Sequence, residues 1–188
     1  MAVLFFVGCD SGAVRGVQDS TTSKAPATPA QLSPCGGTTI TDSTVGFLRL
    51  GQSVADVSAR CTVARDTTRP GAEGQSSRVL DVNFGDATVE AEVVDDRVWR
   101  IGIESPTFRT SDSLGVGTEI PQLLAQRGAR PVSGEGRVFV TTATHCGLSF
   151  QLSVADTGTA AGRWTIDALR RLAGDTRVTR VLVIGCAR

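Results

Sequence analysis

The chain has 188 residues, room for one domain or two small ones sharing a core. Its 19 Lys plus Arg offset 19 Asp plus Glu, so no basic field exists to hold a phosphate backbone, which argues against general nucleic-acid binding. With one histidine, His145, and no tyrosine, few groups are left for acid–base catalysis.

Residues 1–9, MAVLFFVGC, set Val3, Leu4, Phe5, Phe6 and Val7 in front of Gly8 and Cys9. This run resembles the end of a bacterial lipoprotein signal peptide, in which a small residue precedes a cysteine that is lipidated and becomes the mature N-terminus. The resemblance implies a lipid anchor on Cys9, a membrane as partner, and an extracytoplasmic address. Phe6 stands where such signals usually carry leucine. A signal peptide also wants a basic start and roughly 7–15 apolar residues, which predicts a basic, apolar extension coded upstream of Met1. Residues 10–34 are mainly Ser, Thr, Ala, Pro, Gly and Gln. That composition cannot bury enough apolar area to order itself and reads as a flexible tether. The folded domain is expected over residues 35–188.

A strand is expected near residues 46–50, followed at once by an amphipathic helix over 54–61 with Val54, Val57 and Cys61 on its apolar face. Ser53 or Gln52 caps it, and Asp56 is placed for a capping box. Strands follow at 78–84, 88–94 and 97–105, the last two joined by a tight turn at Asp95-Asp96. Val89, Ala91 and Val93 alternate with Glu90 and Glu92, so one face is apolar and the other solvated. Trp99 alternates with Ile101 and Ile103 and is expected in the core. A second short helix carries Ile120, Leu123 and Leu124, with Thr118 as cap, Pro121 in the first turn and Gly128 beyond the end. Strands at 137–143, 147–154 and 177–184 complete the chain. Between the last two lies an extra segment with a helix expected over 164–172.

Cys9 aside, four cysteines remain: Cys35, Cys61, Cys146 and Cys186. No C-x-x-C spacing occurs, which disfavours a zinc site, and no other metal site is expected. In an exported protein two disulfides are then the expectation. Four cysteines allow three connectivities. The helix after the first strand doubles back toward Cys35, favouring Cys35–Cys61. Cys146 opens one strand and Cys186 closes the last, favouring Cys146–Cys186.

LGQSVADVSARCT from Leu50 lies without gaps over VGTEIPQLLAQRG from Val116. Leu50 pairs with Val116, Gly51 with Gly117, Val54 with Ile120 and Val57 with Leu123. The domain therefore reads as two repeats, about 44–110 and 111–188, each a helix followed by three antiparallel strands. The expected fold is α+β, one antiparallel sheet with helices on one face and an extra helix in the second repeat. The Gly-x-Ser/Thr-led helix with its meander resembles small envelope modules of the outer-membrane-assembly lipoprotein type and of the β-lactamase-inhibitor-protein type. The resemblance implies a binding or scaffolding role, with a secreted inhibitor as the alternative. The inhibitor type presents an aromatic-rich sheet, which a chain without tyrosine lacks.

No catalytic residue is expected. His145 and Cys146 are strand neighbours and point to opposite faces, so they form no dyad. No Gly-x-Ser-x-Gly elbow appears. Gly115 and Gly117 lead into a helix, but Ile120 replaces the third glycine of the dinucleotide fingerprint. No small-molecule cofactor is expected. The inserted segment is the part the fold does not require, so Trp164, Arg170 and Arg171 are the candidates for binding a partner, expected to be an envelope protein.

Overall fold

The computed structural model describes residues 35–70, 76–156, 164–172 and 174–186. Cys9 and the tether over 10–34 lie outside the described residues. The expected strand over 46–50 is instead a tight pair, β1 (Thr44–Val45) and β2 (Leu48–Arg49). It turns through Gly46 at φ +54°, where a Cβ would meet the carbonyl oxygens of Cys35 and Gly37 at 2.6 Å. Only glycine fits there.

Helix α1 (Val54–Arg60) follows, with Val54 and Val57 buried. Ser53 Oγ accepts from the Asp56 backbone N–H at 3.1 Å and donates to its carboxylate at 2.7 Å. Ser53 is thus the cap, but only half of the expected capping box forms, because the Asp56 carboxylate accepts from the Ser53 hydroxyl rather than from its backbone N–H. Then come β3 (Val63–Pro70), β4 (Ser76–Asn83), β5 (Thr88–Val94) and β6 (Arg97–Ile103). Asp95 and Asp96, both at positive φ, form the two-residue hairpin turn between β5 and β6. The second half comprises α2 (Ile120–Leu124), β7 (Arg130–Gly134), β8 (Arg137–Thr141), β9 (Leu148–Ala155), α3 (Ile166–Arg170) and β10 (Val178–Val183). Among the described residues no helix is long and apolar enough to cross a membrane.

Eight strands form one antiparallel sheet in the order β3-β4-β5-β6-β10-β9-β8-β7. The fold is α+β, with four strands in each half rather than the expected three. The two unexpected strands, β3 and β7, are the sheet edges. Their sequences, VARDTTRP and RPVSG, carry the charges, proline and glycine that blunt an exposed edge, and these same features hide a strand from pattern reading. Helix α2 also starts differently from expectation. Its N-cap is Glu119, with no side-chain cap bond, because the Thr118 hydroxyl accepts instead from the Gly115 N–H at 2.9 Å.

The junctions ahead of α1 and α2 are held the same way. The Gly51 N–H donates to the Val98 carbonyl at 2.7 Å and the Val98 N–H to Gln52 at 2.9 Å. The Gly117 N–H donates to Val178 at 2.7 Å and the Val178 N–H to Thr118 at 2.9 Å. Both glycines sit at positive φ, +79° and +88°.

One sheet face packs with the helices. Leu80, Val89, Ala91, Ile101, Phe150, Leu152, Val181 and Val183 join Val57 of α1, Leu123 of α2 and Leu169 of α3 in a single cluster. Each large side chain fully buried there contributes roughly 1.5–3 kcal/mol. Trp99 departs from expectation. A register shift between Glu92/Arg100 and Val93/Val98 inserts it as an extra residue, so Val98 takes the core place and Trp99 is 47% exposed.

The outer face is curled inward. Arg100 on β6 and Glu135 in the β7–β8 turn would stand on the order of 30 Å apart in a flat sheet of this register. Arg100 Nη1 nevertheless reaches Glu135 Oε1 at 2.7 Å. The outer face is therefore concave, with the β7–β8 turn brought over β6.

Candidate functional site

Three regions bring polar or reactive groups together. The first is the inserted segment. Thr165 caps α3 through the Ala168 N–H at 3.1 Å, and α3 spans Ile166–Arg170, shorter than the expected 164–172. Trp164 precedes it, half-buried against the core, with its indole N–H donated to Asp156 at 3.0 Å. Trp164 thus docks the insertion. Arg170 is exposed and paired with Asp167 at 2.9 Å, and Arg171 is exposed at the helix end. Between α2 and α3 lies a groove of about 490 Å³, lined by Ile120, Pro121, Leu124, Ala125, Leu169, Arg170, Leu172, Gly174 and Thr176. Its walls are mostly apolar, and its volume falls in the range of ligand pockets.

The second region surrounds His145. Its Nε2 lies 2.9 and 3.0 Å from the two oxygens of Asp112, which also accepts from the Thr110 hydroxyl at 2.5 Å. Burial opposes the charge on Asp112, but the bonds from Thr110 and His145 together outweigh it and hold its carboxyl below the usual range. The pair ties segment 110–114 to the loop that carries Cys146. Beside it, Cys146 is bonded to Cys186, and Asp42 Oδ2 lies 3.7 Å from the Cys146 sulfur. Asp42, Cys146 and Cys186 bring donor atoms within 4.8 Å of one another, but the two sulfurs are bonded to each other and offer no thiolate to a metal.

The second bond joins Cys35 and Cys61, both fully buried, whereas Cys146 and Cys186 are exposed. These are the pairs expected from the element order. Two disulfides belong to an oxidising, extracytoplasmic environment.

The third region is the concave face. Glu90 and Glu92 were expected to be solvated; both are instead held by arginines. Glu92 is only 8% exposed and accepts from Arg100 Nε at 2.9 Å and Nη2 at 2.6 Å. Glu90 is paired with both Arg69 and Arg180. Burial raises the Glu90 carboxyl, but its bonds to Arg69 and Arg180 more than offset this and hold it below its ordinary 4.5. A carboxyl that titrates lower folded than unfolded contributes stability that is complete above the unfolded value and drains as pH falls through the folded one. Urea midpoints measured from about pH 6 down to about pH 3 should therefore fall below about pH 4.5, and the Glu90→Gln variant should lose less over that window. An unchanged slope in Glu90→Gln would assign the acid loss to other carboxylates.

No protein-family model and no curated protein matches this chain. Among solved structures it is similar to the uncharacterised protein yfeY from Escherichia coli, with a TM-score of 0.55 and 15% identity. The match covers 78% of this chain and 99% of that one. At that identity the likeness speaks for the fold alone.

Sequence patterns single out Cys146, Cys186, Trp164, Arg170 and Arg171, but not Asp42, Asp112, Arg100, Glu135 or Arg180. Asp112 and His145 are 33 positions apart, and Asp42 and Cys146 are 104 apart. No local pattern links such partners, so only the folded chain reveals them.

Proposed function

We propose that the protein is a non-enzymatic binding or scaffolding module of the bacterial cell envelope, anchored through a lipid on Cys9. The α2–α3 groove carries this reading. The insertion between β9 and β10 has no counterpart between β5 and β6, where two residues suffice, and its side chains Leu169 and Leu172 build one wall of the groove. Arg171 is exposed where α3 ends, and Arg170 stands at the groove wall. The occupant is a segment of an envelope protein with an apolar ridge and an acidic side chain at its edge, matched to those cations.

The same reading takes the two halves as tandem copies of one unit, a helix and a four-stranded meander. The palindromic strand order, with β6 beside β10 at the centre, supports it, as do the matching bonds of Gly51 with Val98 and Gly117 with Val178. The pairing of Leu50 with Val116 and Val54 with Ile120 in the sequence points the same way.

A photo-crosslinking residue placed at Leu172 in the anchored protein tests the reading. It should yield one discrete adduct with an envelope protein, lost when Leu124→Glu or Arg171→Glu is added, while a probe at Phe47 yields none. Equal adducts from Phe47, or an adduct indifferent to both substitutions, would remove the groove from consideration. The mass of the mature N-terminus decides the anchor: acylated Cys9 supports it, and an unmodified, freely soluble chain favours the secreted-inhibitor alternative.

A further inference from the structure

Two adjoining cavities open on the concave face and share Glu104 and Arg180. The first, about 270 Å³, is lined by Asp81, Thr88, Glu90, Gly102, Glu104 and Arg180. The second, about 320 Å³, is lined by Glu104, Arg137, Gln151, Leu152, Ser153, Thr179 and Arg180. No residue of either cavity lines the α2–α3 groove, so the two sites are separate.

Arg180 is laid flat across the sheet. A Cβ on Gly102 would lie 2.3 Å from its Nη2 and 2.9 Å from its Nε, so the glycine is what lets the guanidinium cross β6 to reach Glu90. Glu90 is shared with Arg69. The rest of the guanidinium is less well served. Nη1 stands 3.6 Å from Glu104, whose side chain is 72% exposed, and the buried Nε, on the edge it shares with Nη2, has no acceptor among the described residues. Buried donors without partners are uncommon in folded proteins. Arg137, exposed on β8, has no acidic partner among the described residues and lines the same cavity. The remaining walls are polar. Gln151 Nε2 donates to Thr179 Oγ1 at 3.3 Å, and Ser153 Oγ accepts from the Arg177 N–H at 3.2 Å, which leaves the Ser153 hydroxyl proton free to donate.

We propose that Arg137 and Arg180 form a binding site for a small hydroxylated oxyanion, a sugar acid or sugar phosphate. Its carboxylate or phosphate sits between the two guanidiniums and displaces Glu104. Its hydroxyls meet Ser153 and Gln151. A planar guanidinium suits either anion because both accept two parallel N–H donors. Glu90 already balances Arg180 through Nη2, so the donors left for the anion in the second cavity are Arg180 Nη1, held loosely by Glu104, and the guanidinium of Arg137.

The test is amide-resolved NMR titration of the folded domain with glucuronate, glucose 6-phosphate and glucose. Either or both anions should give saturable shifts confined to β8, β9, β10 and residues 102–104 at about 10 mM or below, while glucose gives none. Which anion saturates first distinguishes the carboxylate from the phosphate source. Arg137→Gln should weaken binding at least about tenfold. Gly102→Ala should do the same without changing charge, because its methyl group pushes the Arg180 guanidinium aside. Arg171→Gln should change nothing. Thermal unfolding of each variant separates lost binding from lost fold. The proposal fails if neither anion saturates, if glucose binds as well as glucuronate, or if Arg137→Gln binds like the parent.

Discussion

Replacing Cys35 and Cys61 together by alanine is expected to cost more stability than replacing Cys146 and Cys186, although the second bond closes the longer loop. The sequence separations are 26 and 40. Loop closure alone predicts losses of about 3.5 and about 3.9 kcal/mol, a difference too small to decide the order. Burial decides it. Cys35 and Cys61 are fully buried in the core beside Val57 and Leu48, so removing their sulfurs also opens a cavity. Cys146 and Cys186 are exposed, and their removal leaves no void in the core. Equilibrium urea unfolding of the two double variants measures the order directly. Exposure further predicts that dithiothreitol opens Cys146–Cys186 first, as read by alkylation and mass, while Cys35–Cys61 persists until the fold opens. The reverse order in either experiment would mean that burial does not govern these bonds.

Arg100→Ala is expected to destabilise the fold by about 3–5 kcal/mol, the range for breaking a buried ion pair from one side. Glu92 has a side chain only 10% exposed, and Arg100 supplies two of its hydrogen bonds. Without Arg100 that charge stays buried with only the more distant attraction of Arg69 to offset its desolvation. Replacing both residues by leucine should recover most of the loss, since an apolar pair of similar size carries no desolvation cost. The contact of Arg100 with the half-exposed Glu135 contributes far less, so Glu135→Ala should change the unfolding midpoint only slightly. A double leucine variant as unstable as Arg100→Ala would show that the charges themselves, rather than their desolvation, hold the concave face in shape.

Both expectations rest on features of different legibility. The disulfide pairs could be inferred because Cys61, Cys146 and Cys186 lie within a few residues of an element whose direction is set by its neighbours in sequence, and α1 doubles back toward Cys35. The cap of α1 was legible for the same reason: Ser53 and Asp56 are three residues apart and interact locally. The Arg100–Glu92–Glu135 cluster was not. Glu90 and Glu92 alternate with Val89, Ala91 and Val93 as a solvated face should, and alternation reports only which side a residue takes. It does not report whether that side curls over and buries what it carries. Trp99 shows the same limit, because a single inserted residue in β6 moves it out of the core without disturbing the hydrophobic count of the strand.

The sequence by itself determined what is set by short-range chemistry: an α+β class, the helix positions, the turn at Asp95-Asp96, four cysteines suited to two bonds, and the absence of a basic field. The tertiary structure decided what depends on distant segments meeting: the edge strands β3 and β7, the inward curl that brings Glu135 to Arg100, the Asp112–His145 pair, and the cavity between Arg137 and Arg180. The physical reason is the difference in range. Periodicity, capping and turn geometry act over a few residues, whereas the register of eight strands places side chains tens of positions apart on one surface, where charge, burial and unsatisfied donors first acquire partners.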